Sequence, residues 1–288
     1  MNQDYISTRY QLLRQIGKGG QGTVWLARSN RTGKEVAVKI IQLSPANRDS
    51  SLQEIATIKA ISTPNCMPYV VCCYDSFFEP STNQAVIEME YIKGPTILEY
   101  TQPLRNSGNR LLLIPTTKLC IKAVLLGLQF IHAHNVLHND VKPSNIVVNH
   151  NKVPVLVDFG ISCFTQDAVK AICTQPYNKV IGNCCSTTSG TPTFIPPEDI
   201  KGIRYPSSDL WSLGATAYEI MSGMNIWGIN IAAYDPMGVL YQVIDRFKAG
   251  IQPNKLISGD ANLDIVVNNF LSYEPSNRMS INQALSLL

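Results

Sequence analysis

The stretch that decides the fold runs from His138 to Gly160 and reads HNDVKPSNIVVNHNKVPVLVDFG. Ile146-Val147-Val148 is a run of β-formers, Asn149 to Lys152 is a polar turn, and Val153 to Val157 is a second apolar run with Pro154 near its start. The pattern predicts a short β-hairpin. A hairpin here returns the chain on itself, so Asn145, just before the first strand, lies near Asp158, just after the second. Two oxygen ligands side by side suit a hard cation such as Mg²⁺, which takes few protein oxygens and adds phosphate and water. Asp140 lies five residues before Asn145, on the loop that enters the hairpin, and could serve there as a base beside the metal.

The rest of the 288-residue chain is long enough for a sizeable core in one or two domains, and its 45% apolar and 16% charged composition is that of a folded globular protein. A net charge of +3 is too mild to argue for a nucleic-acid or membrane-surface partner. The N-terminus lacks the apolar core of a signal peptide, and no run of about 18 uncharged apolar residues suggests a membrane span. The eight cysteines are Cys66, Cys72, Cys73, Cys120, Cys163, Cys173, Cys184 and Cys185, with no C-x-x-C among them, and zinc spacing is absent. The simplest expectation is reduced thiols and a cytoplasmic location, with nuclear entry left open. A redox role for Cys173, Cys184 and Cys185, in what reads as a loop, is the lesser alternative.

Toward the N-terminus, Tyr10 to Ile16 reads as a strand and is followed by Gly17-Lys18-Gly19-Gly20-Gln21-Gly22-Thr23-Val24. A lone G-x-G-x-x-G can be a dinucleotide fingerprint or only a flexible turn. A dinucleotide site would open a helix at this point. Instead, Thr23 to Arg28 carries β-formers, and Gly33 marks another turn before Glu35 to Leu43. Strand, glycine turn, strand describes a hairpin whose backbone amides can approach phosphate oxygens. Val36-Ala37-Val38-Lys39 is a short alternating strand, and Lys39 taken alone is a surface charge. Asp49 to Ile61 has helical character, with Leu52, Ile55, Ile58 and Ile61 at every third position and Ser50 or Ser51 as the expected N-cap. Glu54 is the only acid in this helix after Asp49; taken alone it serves the helix's positive end. Val70 to Phe78 and Gln84 to Tyr91 read as two further strands. Thr96 to Lys118, with Pro103, Gly108 and Pro115, reads as irregular, and Thr117 to Ala133 as a helix with Leu119, Ala123, Leu126 and Phe130 toward the core.

His138-Asn139-Asp140-Val141-Lys142-Pro143-Ser144-Asn145 resembles the catalytic loop of eukaryotic-type protein kinases, and Asp158-Phe159-Gly160 resembles their metal-binding triplet. The glycine loop, Lys39 and Glu54 follow the same family's order, as do three downstream features. These are Gly190 to Glu198, with Pro196 in place of the usual alanine; Asp209 in Ser207 to Gly214; and Arg278 in Glu274 to Arg278. The resemblance spans residues 10–288 and implies an α+β, bilobal protein-kinase-like fold. Its small N-lobe (about 10–88) would be a five-stranded antiparallel sheet with one main helix. A hinge (about 89–94) would lead to a larger, mostly helical C-lobe (about 95–288), with residues 1–9 as an extension. No regulatory domain is expected after Leu288.

The resemblance also implies roles. ATP would lie against Ile16, Gly17, Lys18, Gly19, Gly20, Gln21, Gly22, Val24, Ala37 and Val147, beside the gatekeeper Met89, with hinge backbone from Glu90 to Ile92. Lys39, fixed by Glu54, would hold the phosphates, and Asn145 and Asp158 would hold Mg²⁺, or Mn²⁺ in its place. Asp140 would accept the substrate proton and Lys142 would steady the γ-phosphate. Thr191, Glu198, Asp209 and Arg278 would build the substrate platform and its supports. The implied activity is phosphoryl transfer from ATP to serine or threonine of protein substrates, because D-x-K-P-x-N and Thr191 match the serine/threonine class. Ser144 and Thr96, where some relatives carry acids, speak against a strong preference for basic substrates. Asn139 stands where regulated kinases carry arginine, which implies activity without phosphorylation of the activation segment, including Thr187, Thr188 and Ser189. Two other classes are a scaffold of pseudokinase type, disfavoured because no catalytic position is missing, and a small-molecule phosphotransferase, disfavoured by Gly190 to Glu198 and Asp209 to Gly214.

Overall fold

Strands β1 (Tyr10–Gly19) and β2 (Gly22–Ser29) are joined too tightly for any crossover, so they pair antiparallel, with Gly19 opposite Gly22 and Gly17 opposite Val24. The computed structural model describes residues 5–19, 22–165 and 190–288. Gly20 and Gln21 therefore lie outside the described residues, as do Cys173, Cys184, Cys185, Thr187, Thr188 and Ser189. β3 (Glu35–Gln42), β4 (Cys73–Glu79) and β5 (Gln84–Glu90) complete a five-stranded antiparallel sheet of order β1-β2-β3-β5-β4. The period of two along β3 divides its side chains between two faces. Val36 and Val38 join Tyr10, Ala27 and Val86 in a cluster on one face, while Ala37 and Ile41 join the main core.

Residues set apart in the sequence as an extension contribute to this lobe. Tyr5–Arg9 form a short helix, α1, whose Ile6 is buried in the outer cluster, and Arg9 pairs with Asp75 at 2.7 Å. On the other side, α2 (Arg48–Ala60) buries Ile55 and Ile58 and points Glu54 toward β3. Its N-cap is Asn47, not Ser50 or Ser51. Both serine hydroxyls lie inside the first turn and donate back to the Asn47 carbonyl, at 2.9 and 2.8 Å.

The region read as irregular is helical. α3 (Ile97–Asn106) starts at a capping box, in which Thr96 accepts from the Glu99 amide and the Glu99 carboxylate accepts from the Thr96 amide. α4 (Arg110–Ala133) starts at Asn109, whose side chain accepts from the Leu112 amide. Pro103 and Pro115 sit inside these helices rather than ending them. The buried stripe of α4 runs through Leu113, Thr117, Cys120, Val124, Leu128 and Ile131, so the expected stripe is displaced around the helix. Ala123 is buried, but Leu119 is half exposed. By length and hydropathy alone α4 could cross a membrane; here Cys120, Leu125, Leu128 and Ile131 are fully enclosed in the larger lobe's core.

After β6 (Val136–Leu137) comes the decisive hairpin. β7 (Ile146–Val148) pairs with β8 (Pro154–Leu156), Val147 opposite Val155. β9 (Cys163–Phe164) returns to pair with β6. Among the described residues, α5 (Pro206–Ser222), α6 (Pro236–Lys248), α7 (Ala261–Phe270) and α8 (Ile281–Leu287) follow in the lobe. The two lobes meet at a close approach that requires glycine. A Cβ on Gly94 would lie 1.8 Å from the Val148 carbonyl oxygen.

The expectation of reduced thiols does not hold throughout. The turn through Pro68 brings Cys66 and Cys72 within 5.4 Å (Cα to Cα), and they are joined as a disulfide. Cys163 is also disulfide-bonded. Cys73 and Cys120 are free thiols, and burial pushes them up to about 11 and about 12.

Candidate active site

A cleft of about 990 Å³ opens between the sheet lobe and the helical lobe. Its roof comes from the β1–β2 hairpin. Gly22 is needed there, since φ is +128° and a Cβ would meet the Ile40 carbonyl oxygen at 2.6 Å. The cleft is lined by Ile16, Gly17, Lys18, Gly19, Gly22, Val24, Ala37, Met89, Ile92 and Val147, so these sequence-derived candidates converge on one space. Val71 and Val157 supply further apolar wall that the sequence reading did not single out. Each sits at an end of a β-run, where spacing alone does not separate a wall residue from core.

The stretch from Glu90 to Ile92 runs along the back of the cleft. The Glu90 amide donates to the Cys72 carbonyl at 2.8 Å, so that N–H is not free to face the cleft. Glu90 itself lines the cleft, as does Ile92 two residues on. Within the described residues the Ile92 amide and carbonyl have no backbone partner.

Beneath the roof, β3 carries Lys39 inward. Lys39 Nζ lies 2.5 Å from Glu54 Oε1 and 3.4 Å from Asp158 Oδ1. Lys39 and Glu54 are nearly enclosed, whereas the Asp158 side chain is 45% exposed to the cleft. Burial works against the Lys39 ammonium, but the Glu54 and Asp158 carboxylates outweigh it and raise its pKa. Burial raises the Glu54 carboxyl, only partly offset by Lys39. For Asp158 burial is overcome by Lys39 and by the Gly160 amide, and the pKa falls. The trio is therefore an ammonium shared by two carboxylates, one closed off and one open.

The hairpin brings the other oxygen donor to the same place. The Val157 amide donates to the Asn145 carbonyl at 2.8 Å, which sets Asp158 beside the Asn145 residue. Asp158 adopts φ +63°, a left-handed conformation uncommon for a non-glycine residue and frequent at functional sites. Asn145 Nδ2 donates to the Asp140 carbonyl (2.9 Å) and to Asp140 Oδ2 (3.0 Å), and its Oδ1 has no protein partner among the described residues. An amide oxygen and an exposed carboxylate form the hard-oxygen set that suits Mg²⁺.

Asp140 is held on every side. Lys142 Nζ lies 2.6 Å from its Oδ2, and Thr191 donates to its Oδ1 through the hydroxyl (3.1 Å) and the amide (3.3 Å). Lys142 Nζ also donates to the Thr191 hydroxyl at 2.7 Å. From below, Asp209 on α5 accepts the His138 amide (3.0 Å), the Asn139 amide (2.8 Å) and His132 Nε2 (2.8 Å). Burial alone would raise the Asp209 carboxyl; His132, the neighbouring His138 ring and the Asn139 amide bring it below its usual value. Glu198 and Arg278 lie away from the cleft, in a buried bidentate pair at 2.6 and 2.8 Å.

A sheet lobe, a hinge and a helical lobe around a cleft that holds a buried lysine, an Asp/Asn oxygen pair and a loop aspartate define the protein-kinase-like class. Comparison with known families agrees: the protein kinase domain matches residues 10–287. The chain belongs to that family, whose members use ATP and Mg²⁺. It is 33% identical over 218 residues to a mitogen-activated protein kinase kinase of Nicotiana tabacum, covering 75% of this chain and 55% of that protein. It is 31% identical over 225 residues to a probable serine/threonine-protein kinase of Dictyostelium discoideum, covering 74% and 47%. It is 28% identical over 287 residues to the serine/threonine-protein kinase Nek8 of Danio rerio, covering 96% and 36%. The chain thus spans about half the length, or less, of these relatives.

Proposed function

We propose that this chain transfers the γ-phosphoryl group of ATP to serine and threonine hydroxyls of protein substrates. The observation that carries the reading is the convergence of Lys39, Asp158, Asn145 and Asp140 on one cleft, with Thr191 bonded to Asp140 at the edge where an acceptor would enter. Mg²⁺, or Mn²⁺ in its place, would supply neutralisation of the negative charge on the phosphates. The protein's own part is positioning. Asn145 and Asp158 would hold the metal. Lys39, kept charged by Glu54, would hold phosphate oxygens together with the glycine loop. Met89 and the backbone from Glu90 to Ile92 would meet the adenine, with the Glu90 amide already committed to Cys72. Asp140 orients the acceptor hydroxyl and takes its proton, an effect typically worth about 10²–10⁴-fold. Lys142 links Asp140 to Thr191 and would steady the γ-phosphate as it moves.

Asn139 has no charge to pair with a phosphate, and on that ground activity needs no phosphorylation of the activation segment. Ser144 and Thr96 give no acidic pair for a strongly basic substrate. No nucleic-acid partner or membrane insertion forms part of this reading. The cytoplasmic location remains part of it, although the thiol argument does not extend to Cys66, Cys72 and Cys163.

The test is purified protein with labelled ATP, Mg²⁺ and generic protein substrates, run beside Asp158→Ala. Label on serine and threonine from the wild-type chain only is the expected result. Equal signal from both proteins would refute the catalytic assignment, and label on a small molecule alone would favour the small-molecule class. Alanine at Thr187, Thr188 and Ser189 together should leave most activity in place; collapse to background sinks the phosphorylation-independent part.

A further inference from the structure

Two residues just beyond the Asp158-Phe159-Gly160 triplet are gripped from opposite sides. On one side stands Asn139. Its φ is +66°, a conformation that asparagine tolerates better than most residues. With its amide fixed on Asp209, its Nδ2 donates to the Ile161 carbonyl at 3.1 Å and reaches Cys163 Sγ at 3.3 Å. Gly190 closes on the same residue, since a Cβ there would lie 3.2 Å from the Asn139 carbonyl oxygen. One neutral side chain and its carbonyl thus contact both ends of the stretch from Ile161 to Gly190.

On the other side stands α2. Gln53 Nε2 donates to the Ser162 carbonyl at 2.7 Å, and the Thr57 and Ser162 hydroxyls are 2.7 Å apart. The Ser162 hydroxyl also lies 2.7 Å from the Phe159 carbonyl oxygen, inside the triplet itself. Gln53, Thr57 and Ser162 are all buried. Glu54 lies between Gln53 and Thr57 in the sequence of the same helix. Whatever fixes these two on Ser162 also fixes the carboxylate that holds Lys39.

We propose that Asn139 and the Gln53–Thr57 pair form a two-sided clamp on Ile161–Ser162, which sets Asp158 and Glu54 in their working positions without a charged group on the segment that follows. The proposal rests on the kinase reading and deepens it. None of the three residues is placed to touch ATP or the acceptor; they are positioning residues. On the α2 side neutral hydrogen bonds suffice because the groups are buried: a carbonyl or hydroxyl there that loses its partner is left unsatisfied, which favours the gripped state.

The experiment compares wild type with Asn139→Asp, Thr57→Val and Thr57→Ser. Asn139→Asp keeps size and tolerance of positive φ but turns the donor facing the Ile161 carbonyl into an acceptor. Thr57→Val keeps shape and removes the hydroxyl, and Thr57→Ser restores it. Two readouts are taken: kcat and KM for ATP, and affinity for a fluorescent ATP analogue across a Mg²⁺ titration. Asn139→Asp and Thr57→Val should each lower kcat about tenfold and shift the Mg²⁺ titration to higher concentration; metal-free analogue affinity should stay unchanged in Asn139→Asp and weaken in Thr57→Val, whose helix carries the Glu54 that holds Lys39. Thr57→Ser should match wild type, and phosphatase treatment should leave wild-type activity intact. Unmoved Mg²⁺ titrations in both variants, or loss of wild-type activity on phosphatase treatment, overturns the clamp. If the wild type binds Mg²⁺ and the analogue yet transfers nothing, the kinase reading fails while the binding titrations still decide the clamp.

Discussion

Two buried ion pairs, Lys39–Glu54 and Arg278–Glu198, use the same chemistry to different ends. Arg278 is closed. Its guanidinium takes both Glu198 oxygens, the Ser207 carbonyl (2.9 Å), the Ser272 carbonyl (2.9 Å) and the Tyr273 carbonyl (3.3 Å). Its face lies 5.3 Å from the Trp211 ring centroid. Glu198 is further satisfied by the Ser208 hydroxyl at 2.7 Å. Lys39 is open. It has one enclosed partner, Glu54, and a second, Asp158, that faces the cleft. A closed pair holds segments together, whereas an open pair keeps a charge available for a ligand.

The largest effect should come from breaking the closed pair. Arg278→Ala leaves Glu198 buried without a counter-charge and three carbonyls without their donor. It should cost about 3–5 kcal/mol of stability, read from urea unfolding. Arg278→Lys should rescue little, because one ammonium cannot replace a fork of five donors. A loss below about 1 kcal/mol would mean that the platform is not built on this pair.

Breaking the open pair should act on catalysis instead. Lys39→Met should lower kcat/KM by about 10²–10³-fold, equivalent to about 2.7–4 kcal/mol of transition-state stabilisation. A variant that kept wild-type kcat/KM would remove Lys39 from the site. Replacing both partners sharpens the contrast further. Lys39→Met with Glu54→Leu leaves no buried charge in the pair and should change stability by less than about 1 kcal/mol. Arg278→Met with Glu198→Leu still takes the Arg278 donor from the Ser272 and Tyr273 carbonyls, at roughly 1–3 kcal/mol for each that stays buried and unpaired. Equal stability changes in the two double variants would erase the distinction between closed and open.

The same contrast explains what the sequence reveals. The stretch from His138 to Gly160 is legible because its chemistry is local: a hairpin between Asn145 and Asp158 makes their proximity a matter of turn geometry. Lys39 and Glu54 are legible only through a resemblance, since no spacing rule pairs a strand residue with a helix residue fifteen positions later. Helix α3 and the first turns of α4 are hidden by Pro103 and Pro115, although Thr96 and Glu99 carry a capping-box signal that marks where α3 begins. In the sequence Asn139 stands out only for what it lacks, a positive charge. What it does instead, with Gln53, Thr57 and Ser162, joins three distant segments by neutral hydrogen bonds, and such contacts leave no periodic trace. The bond from the Glu90 amide to Cys72 is of the same kind.

The smallest effect concerns His138, at the start of the loop that carries Asp140. Its ring is fully enclosed, 4.8 Å from the Phe159 ring, with Nε2 3.2 Å from the Val157 carbonyl oxygen and Nδ1 3.2 Å from the Asp140 amide. A neutral imidazole with its proton on Nε2 satisfies both contacts, while a charged one would turn a second donor against the Asp140 amide. Burial lowers its pKa, against the pull of Asp209, Asp140 and Asp158. A folded-state pKa below the ordinary histidine value means that the unfolded chain binds the proton more readily. The stability this contributes is present above the ordinary value, about 6.5, and is lost as pH falls through the lowered folded value. The raised carboxyls of Glu54, Asp199 and Glu219 act in the opposite direction, so the wild-type curve alone does not isolate the histidine. The measurement is therefore a difference. Unfolding free energy is followed from pH 7.5 to 5.5 for wild type and for His138→Asn, and the wild type should lose the more stability on acidification. Parallel curves would show that the ring carries its proton equally in both states, and that its link between Phe159 and the Asp140 amide tolerates charge.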